Sequence, residues 1–144
     1  MMNLIKGDNP KLKKMCEKVG RRQGIKVGRR LNKFFQTVPH AYGLAAPQVG
    51  MLHRVFIIRF EGVTTIVINP EILKYGHKKI KMEEACLSHS WTRERGINMK
   101  RSFEIDVFYY NGKGETVSET LTDMKARIFQ HEVDHLNGIC IVDK

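Results

Sequence analysis

A chain of 144 residues with 42% hydrophobic side chains can bury one sizeable core, which excludes a disordered or fibrous class. Its 25 Lys and Arg against 15 Asp and Glu leave a net charge of +10, and the excess is local: residues 1–33 hold eleven of the bases but only two acids, Asp8 and Glu17. No apolar run approaches the ~20 residues of a spanning helix, the first residues turn polar too early for a signal peptide, and three cysteines do not make a disulfide scaffold. These features predict a single domain over residues 1–144, away from membranes, in a reducing compartment such as the cytoplasm; a monomer is the expectation, though none of these features carries it.

Asp8-Asn9-Pro10 is a helix-start signal, and Leu12, Met15, Cys16 and Val19 then recur at helical spacing up to Gly20. A basic connector, Arg21 to Lys26, leads to a second helical segment whose Val27, Leu31, Phe34, Phe35 and Val38 share a face. His40 to Gly50 reads as a Gly/Ala/Pro loop. Residues 53–60 and 64–69 read as strands joined at Glu61-Gly62, with Pro70 breaking the run. Residues 78–88 and 102–110 are predicted as further strands, and Asn111-Gly112-Lys113-Gly114 as a hairpin turn returning through Thr116, Ser118 and Thr120. The last element is a helix capped by Thr122, favoured by Asp123 and stopped by Gly138, with Met124, Ile128 and Leu136 on its apolar face. The expected class is α+β: a mainly antiparallel sheet packed around this C-terminal helix, with N-terminal helices.

That helix carries His131-Glu132-Val133-Asp134-His135, an HExxH pattern. Residues i and i+4 share a helix face, so two imidazoles can meet one metal ion while the glutamate beside them accepts a proton from its water. The alternative is two histidines on a solvated face. A catalytic site of this kind needs a third protein ligand. Downstream of His135, Asp143 lies next to the terminus and Cys140 sits in an apolar run that reads as core; upstream, Cys16 belongs to the first buried stripe. Cys86 lies among Glu83, Glu84 and Ser88 at a strand end, which favours it as the ligand, with a core cysteine as the alternative.

Three separated motifs now stand in order: Ala41-Tyr42-Gly43-Leu44-Ala45-Ala46-Pro47-Gln48-Val49-Gly50, Glu84-Ala85-Cys86-Leu87-Ser88, and Gln130-His131-Glu132-Val133-Asp134-His135. In these the chain resembles the peptide deformylase family, in a compact form with a short C-terminus. The resemblance implies removal of the formyl group from N-terminal formylmethionine of nascent polypeptides, releasing formate. It implies Cys86, His131 and His135 as ligands of one divalent metal, Fe(II) in first place, with Zn, Ni or Co able to replace it. Water on that metal would lose its proton to Glu132 and attack the formyl carbon, the oxyanion being held by the metal, the Gln48 amide and the Leu87 backbone N–H. Glu132 would then protonate the leaving amine. Substrate contacts are expected from Tyr42, Gly43 and Leu44, from Ala85, and from Ile128 as part of a methionine slot with Met124; Arg127 faces the same way, its head either reaching solvent or contacting the peptide.

Ala41 and Ala85 stand where the family has glycine, His89-Ser90-Trp91 lacks a proline found in many relatives, and the C-terminal extension of many bacterial members is missing. Compact members include organellar and virus-encoded forms, for which the compartment would be an organelle or the host cytoplasm. A small HExxH metallopeptidase would leave the first motif unexplained, a basic nucleic-acid module would leave the metal constellation unexplained, and a deformylase-like peptide binder without turnover is the third alternative. The basic residues 1–33 are either a solvated surface or a docking surface for the ribosome.

Overall fold

The run Val55-Phe56-Ile57-Ile58 shows no polar alternation because helices cover its sheet from both sides. The computed structural model describes residues 2–144, which form α1 (Arg21–Phe35), β1 (Gly43–Ala45), β2 (Val55–Phe60), β3 (Val63–Tyr75), β4 (Lys79–Glu84), β5 (Ile97–Ser102), β6 (Glu104–Tyr110), β7 (Thr116–Thr122) and α2 (Asp123–Leu136). Five strands pair antiparallel in the order β1-β2-β3-β6-β7, and β4 with β5 makes a separate antiparallel ribbon. Val55 and Ile57 of β2 join the core under α1, with Val27, Leu31 and Phe35. Phe56 and Ile58 join the core under α2, with Phe129, Val133 and Leu136. A strand covered on both faces reads as a continuous apolar run. Each such side chain contributes roughly 1.5–3 kcal/mol on burial, and the edge-on contact of Phe56 with Phe129, centroids 5.0 Å apart, pins α2 to the sheet. The class is the expected α+β. Among the described residues no helix is long and apolar enough to cross a membrane.

Several elements differ from expectation. No helix runs from Asp8 to Gly20: Pro10–Lys13 form one 3-10 turn, with the Asn9 side chain accepting the Lys11 N–H. Beyond it the backbone finds partners elsewhere, Cys16 N–H donating to the Leu136 carbonyl and Asn69 pairing through both ends of its amide with Val19. Leu12, Cys16 and Val19 are buried, but Met15 is 70% exposed, so the supposed stripe is not one face. The basic connector is instead the first turns of α1. Nor does Pro70 end its strand. β3 continues through it with a register shift between Ile68 and Glu71, changing its main partner from β2 to β6 where proline has no N–H to donate.

The strand predicted at 78–88 stops at Glu84, and Cys86 to His89 form a tight turn closed by His89 N–H to the Cys86 carbonyl at 3.0 Å. β5 escaped the sequence reading because its INMKRS carries polar residues with no clean alternation. At α2, Thr122 occupies the cap position without a side-chain cap bond. Gly138 stops the helix as expected: at φ +76° its N–H reaches the His135 carbonyl and the next N–H reaches that of Asp134.

Candidate active site

α2 places His131 and His135 one turn apart, their rings edge-on with centroids 5.0 Å apart. The turn after β4 brings Cys86 to them. One ligand atom from each of the three residues lies within 4.8 Å of the others, and Cys86 Sγ is 3.3 Å from His135 Nε2. Two ligands of one tetrahedral zinc-sized ion stand about 3.5 Å apart, so the spacing fits a first-row divalent cation, and one sulfur with two imidazole nitrogens suits iron(II) or zinc. The turn itself is held by Thr92, whose Oγ1 accepts the Cys86 N–H at 2.8 Å and donates to the His89 carbonyl at 2.6 Å.

Glu84 is the hub behind these ligands. Its carboxylate, 7% exposed, accepts two hydrogen bonds from Arg101, at 3.0 and 2.9 Å, one from Arg127, and the His131 Nδ1 at 2.9 Å. Committing Nδ1 to a carboxylate leaves Nε2 for the centre and fixes the ring. Burial alone would raise the Glu84 carboxyl, but the hydrogen bonds of Arg101 and His131 hold it well below the usual range. Arg101 also bridges to Asp134 at 2.6 Å, tying β5 to α2. Burial works against charge on His131, yet its contacts with Cys86 and Glu84 and the charge of Glu132 raise it to about 10, whereas burial and the neighbouring His131 push His135 well below the usual histidine range.

Glu132 is 3% exposed, with Oε1 free of any partner among the described residues, and burial raises it to about 7. It can stand so close to β1 only because residue 43 is glycine: a Cβ there would lie 2.5 Å from Glu132 Oε2. Gln48, 2% exposed, accepts the Ala45 N–H on Oε1 at 2.9 Å, which turns its NH2 toward Ser88 Oγ at 3.2 Å and Cys86 Sγ at 3.7 Å.

A cavity of about 460 Å³ opens beside this cluster. Ala41, Tyr42, Leu87, Met124 and Ile128 give it apolar walls, while Gln48, Cys86, His131 and Glu132 supply polar ones. Gly43, Ala85 and Arg127 also line it; His135 and Leu44 do not. Leu44 is fully buried in the core under α1. Its neighbours explain the difference: the Tyr42 carbonyl accepts the Arg59 N–H at 2.7 Å and the Ala45 N–H faces Gln48, so by antiparallel alternation Gly43 alone presents both backbone groups at the outer edge of β1. Arg127 does not reach solvent, contrary to one expectation. Its guanidinium turns inward to Glu84 and to the carbonyls of Met99 and Ile80, stapling the β4–β5 ribbon to α2, because that buried carboxylate and those carbonyls outcompete solvent. Glu84, Arg101 and Thr92 were not picked out as site residues: Arg101, which makes two of the four bonds to Glu84, comes from β5, which the residues did not announce.

An α+β domain whose last helix sets HExxH beside a strand-end cysteine defines a small hydrolase. The sequence profile of the polypeptide deformylase family matches residues 1–144, and the chain belongs to that family. The peptide deformylase of Thermotoga petrophila is 43% identical over 116 residues, covering 79% of this chain and 69% of that protein. The crystal structure of peptide deformylase from Thermotoga maritima superposes with a TM-score of 0.90 at 37% identity, over 100% of this chain and 97% of that one. The class I type b peptide deformylase of Acinetobacter baumannii bound to Met-Ala-Ser gives a TM-score of 0.88 at 28% identity, over 99% and 98%.

Proposed function

We propose that this hydrolase removes the formyl group from formylmethionyl peptides through the cavity between β1, the Cys86 turn and α2. The convergence of Glu132, Gln48, Cys86 and His131 on one cavity, with His135 grouped behind them, carries the reading. A divalent cation held by Cys86, His131 and His135, Fe(II) in first place with Zn, Ni or Co as replacements, would supply Lewis acidity and a nucleophile at neutral pH. Glu132 takes the proton of the attacking water on its unpartnered Oε1; a carboxyl near 7 both accepts that proton and gives it up to the leaving amine. The Gln48 NH2, aimed by its bond to Ala45, and the Leu87 N–H donate to the oxygen on which charge develops. The methionine side chain lies against Ile128, Met124 and Leu87, and the peptide backbone meets the open edge of Gly43. Ala85, which lines the cavity, narrows the passage of the chain beyond methionine.

Formate release from formyl-Met-Ala-Ser, by protein loaded anaerobically with iron or cobalt, tests the proposal beside Glu132→Ala and Cys86→Ala. Wild-type turnover abolished in both variants is expected. No formate from the loaded wild type overturns the substrate, and turnover surviving in Glu132→Ala overturns the proton route.

A further inference from the structure

α1 is a helix with no acidic residue and six basic ones, Arg21, Arg22, Lys26, Arg29, Arg30 and Lys33, all exposed. Among the described residues none of the six is in an ion pair; Arg21 lies over the Tyr110 ring, 4.6 Å from its centroid. Arg22, Lys26, Arg29 and Lys33 fall four, three and four residues apart, so at 3.6 residues per turn they form one straight row about 16 Å long. Self-repulsion within such a row is costly in a free helix, and nothing in the fold uses it. What the fold does use is the opposite face, where Val27, Leu31 and Phe35 are buried against the sheet.

We infer that this row of α1 is a docking surface for the phosphate backbone of structured RNA. The wider expectation of a basic region over residues 1–33 thereby narrows to one helix, and the purpose of docking, though not the binding itself, rests on the deformylase reading. Other anionic partners fit less well. A membrane-surface helix needs an apolar face free to insert, and that of α1 is committed to the core. A protein interface needs a buried aromatic or apolar anchor, and the exposed face of α1 offers cations and Gln23. Evenly spaced point charges without anchors match a periodic phosphate chain, whose binding is driven by counterion release. Placement adds a consequence: the chain leaving α1 becomes Thr37 to Tyr42, which lines the cavity, so RNA held along α1 sets the cavity mouth beside the surface it binds.

Binding of the full chain to a short RNA duplex, followed by fluorescence anisotropy against salt, tests this. Four neutralised phosphates predict a roughly 150-fold loss of affinity between 50 and 200 mM salt. The combined variant Arg22→Gln, Lys26→Gln, Arg29→Gln, Lys33→Gln should lose the binding and its salt dependence. A control of equal net charge, Lys74→Gln, Lys81→Gln, Lys100→Gln, Lys113→Gln, should keep both. All three proteins should release formate from free formyl-Met-Ala-Ser at the same rate, and this readout fails separately if the deformylase reading is wrong. Absence of RNA binding by wild type at 50 mM salt, equal loss in the control, or tighter binding to phosphatidylserine vesicles than to RNA overturns the inference.

Discussion

Replacing Glu84 by glutamine keeps the shape of the side chain and removes the one negative charge that Arg101, Arg127 and His131 share. Its two oxygens accept four hydrogen bonds in the native protein. The glutamine oxygen can take two of them; its NH2 then points at a guanidinium or an imidazole N–H and accepts none. Each lost charge-assisted bond is worth about 1.5–3 kcal/mol, and removing one partner of a buried ion pair costs about 3–5 kcal/mol. Two lost bonds give about 3–6 kcal/mol, which overlaps the ion-pair figure, so a destabilisation of about 3–5 kcal/mol is expected, or a fall in Tm of about 10–20 °C for a domain of this size. His131 loses the contact that fixes its ring, so affinity for a probe metal such as cobalt should fall by about 10–100-fold. Thermal unfolding of metal-free protein and cobalt competition against a chelator read the two effects independently. A Glu84→Gln protein that melts within about 3 °C of wild type and binds cobalt as tightly refutes the hub role.

Gly43→Ala should lower formate release by at least about 100-fold by displacing Glu132, with circular dichroism unchanged; retained activity would show that Glu132 has room to yield. Arg59 holds the cavity wall from beneath, donating to the carbonyls of Val38, Pro39 and Ala41 at 3.3, 3.1 and 2.9 Å. Arg59→Ala should therefore raise KM for formyl-Met-Ala-Ser by about tenfold with little change in kcat, as steady-state kinetics will report; a loss confined to kcat contradicts that role. Burial raises the Cys16 thiol to about 11, with Arg54 opposing more weakly. The unfolded chain ionises this thiol first, so its contribution is fully present below pH 9 and is lost as the pH rises toward 11. In urea titrations, Cys16→Ser should flatten that part of the pH dependence.

The residues announced the fold class and the candidate ligands, but not every element. HExxH needs only helical periodicity to bring two imidazoles together, so the grouping of His131, Glu132 and His135 was legible from spacing, while their burial, against the alternative of a solvated face, was not. Cys86 could be favoured from its polar neighbours, because a core cysteine seldom sits among acids and a hydroxyl. The Asp8–Val19 segment misled because its apolar spacing was right and its backbone partners were unknown. Once Leu136 and Asn69 supply those partners, the helix has no advantage. For Arg127 the solvent-reaching alternative failed for a related reason: helix geometry sets it at the cavity, and a buried carboxylate from β4 captures its head.

By itself the sequence determined the α+β class, the C-terminal helix with its stop at Gly138, the metal-capable donor types and the concentration of charge before residue 34. These follow from periodicity, φ preference and composition, which are local. Tertiary structure alone decided that Glu84 orients His131, that Gly43 leaves room for Glu132, that Leu44 belongs to the core, and that Arg22, Lys26, Arg29 and Lys33 stand in one row of α1 with no ion pair among the described residues. The contacts among these depend on which side chain comes to lie beside which across the fold, and pairing between distant segments is set by packing and burial rather than by any residue's own preference.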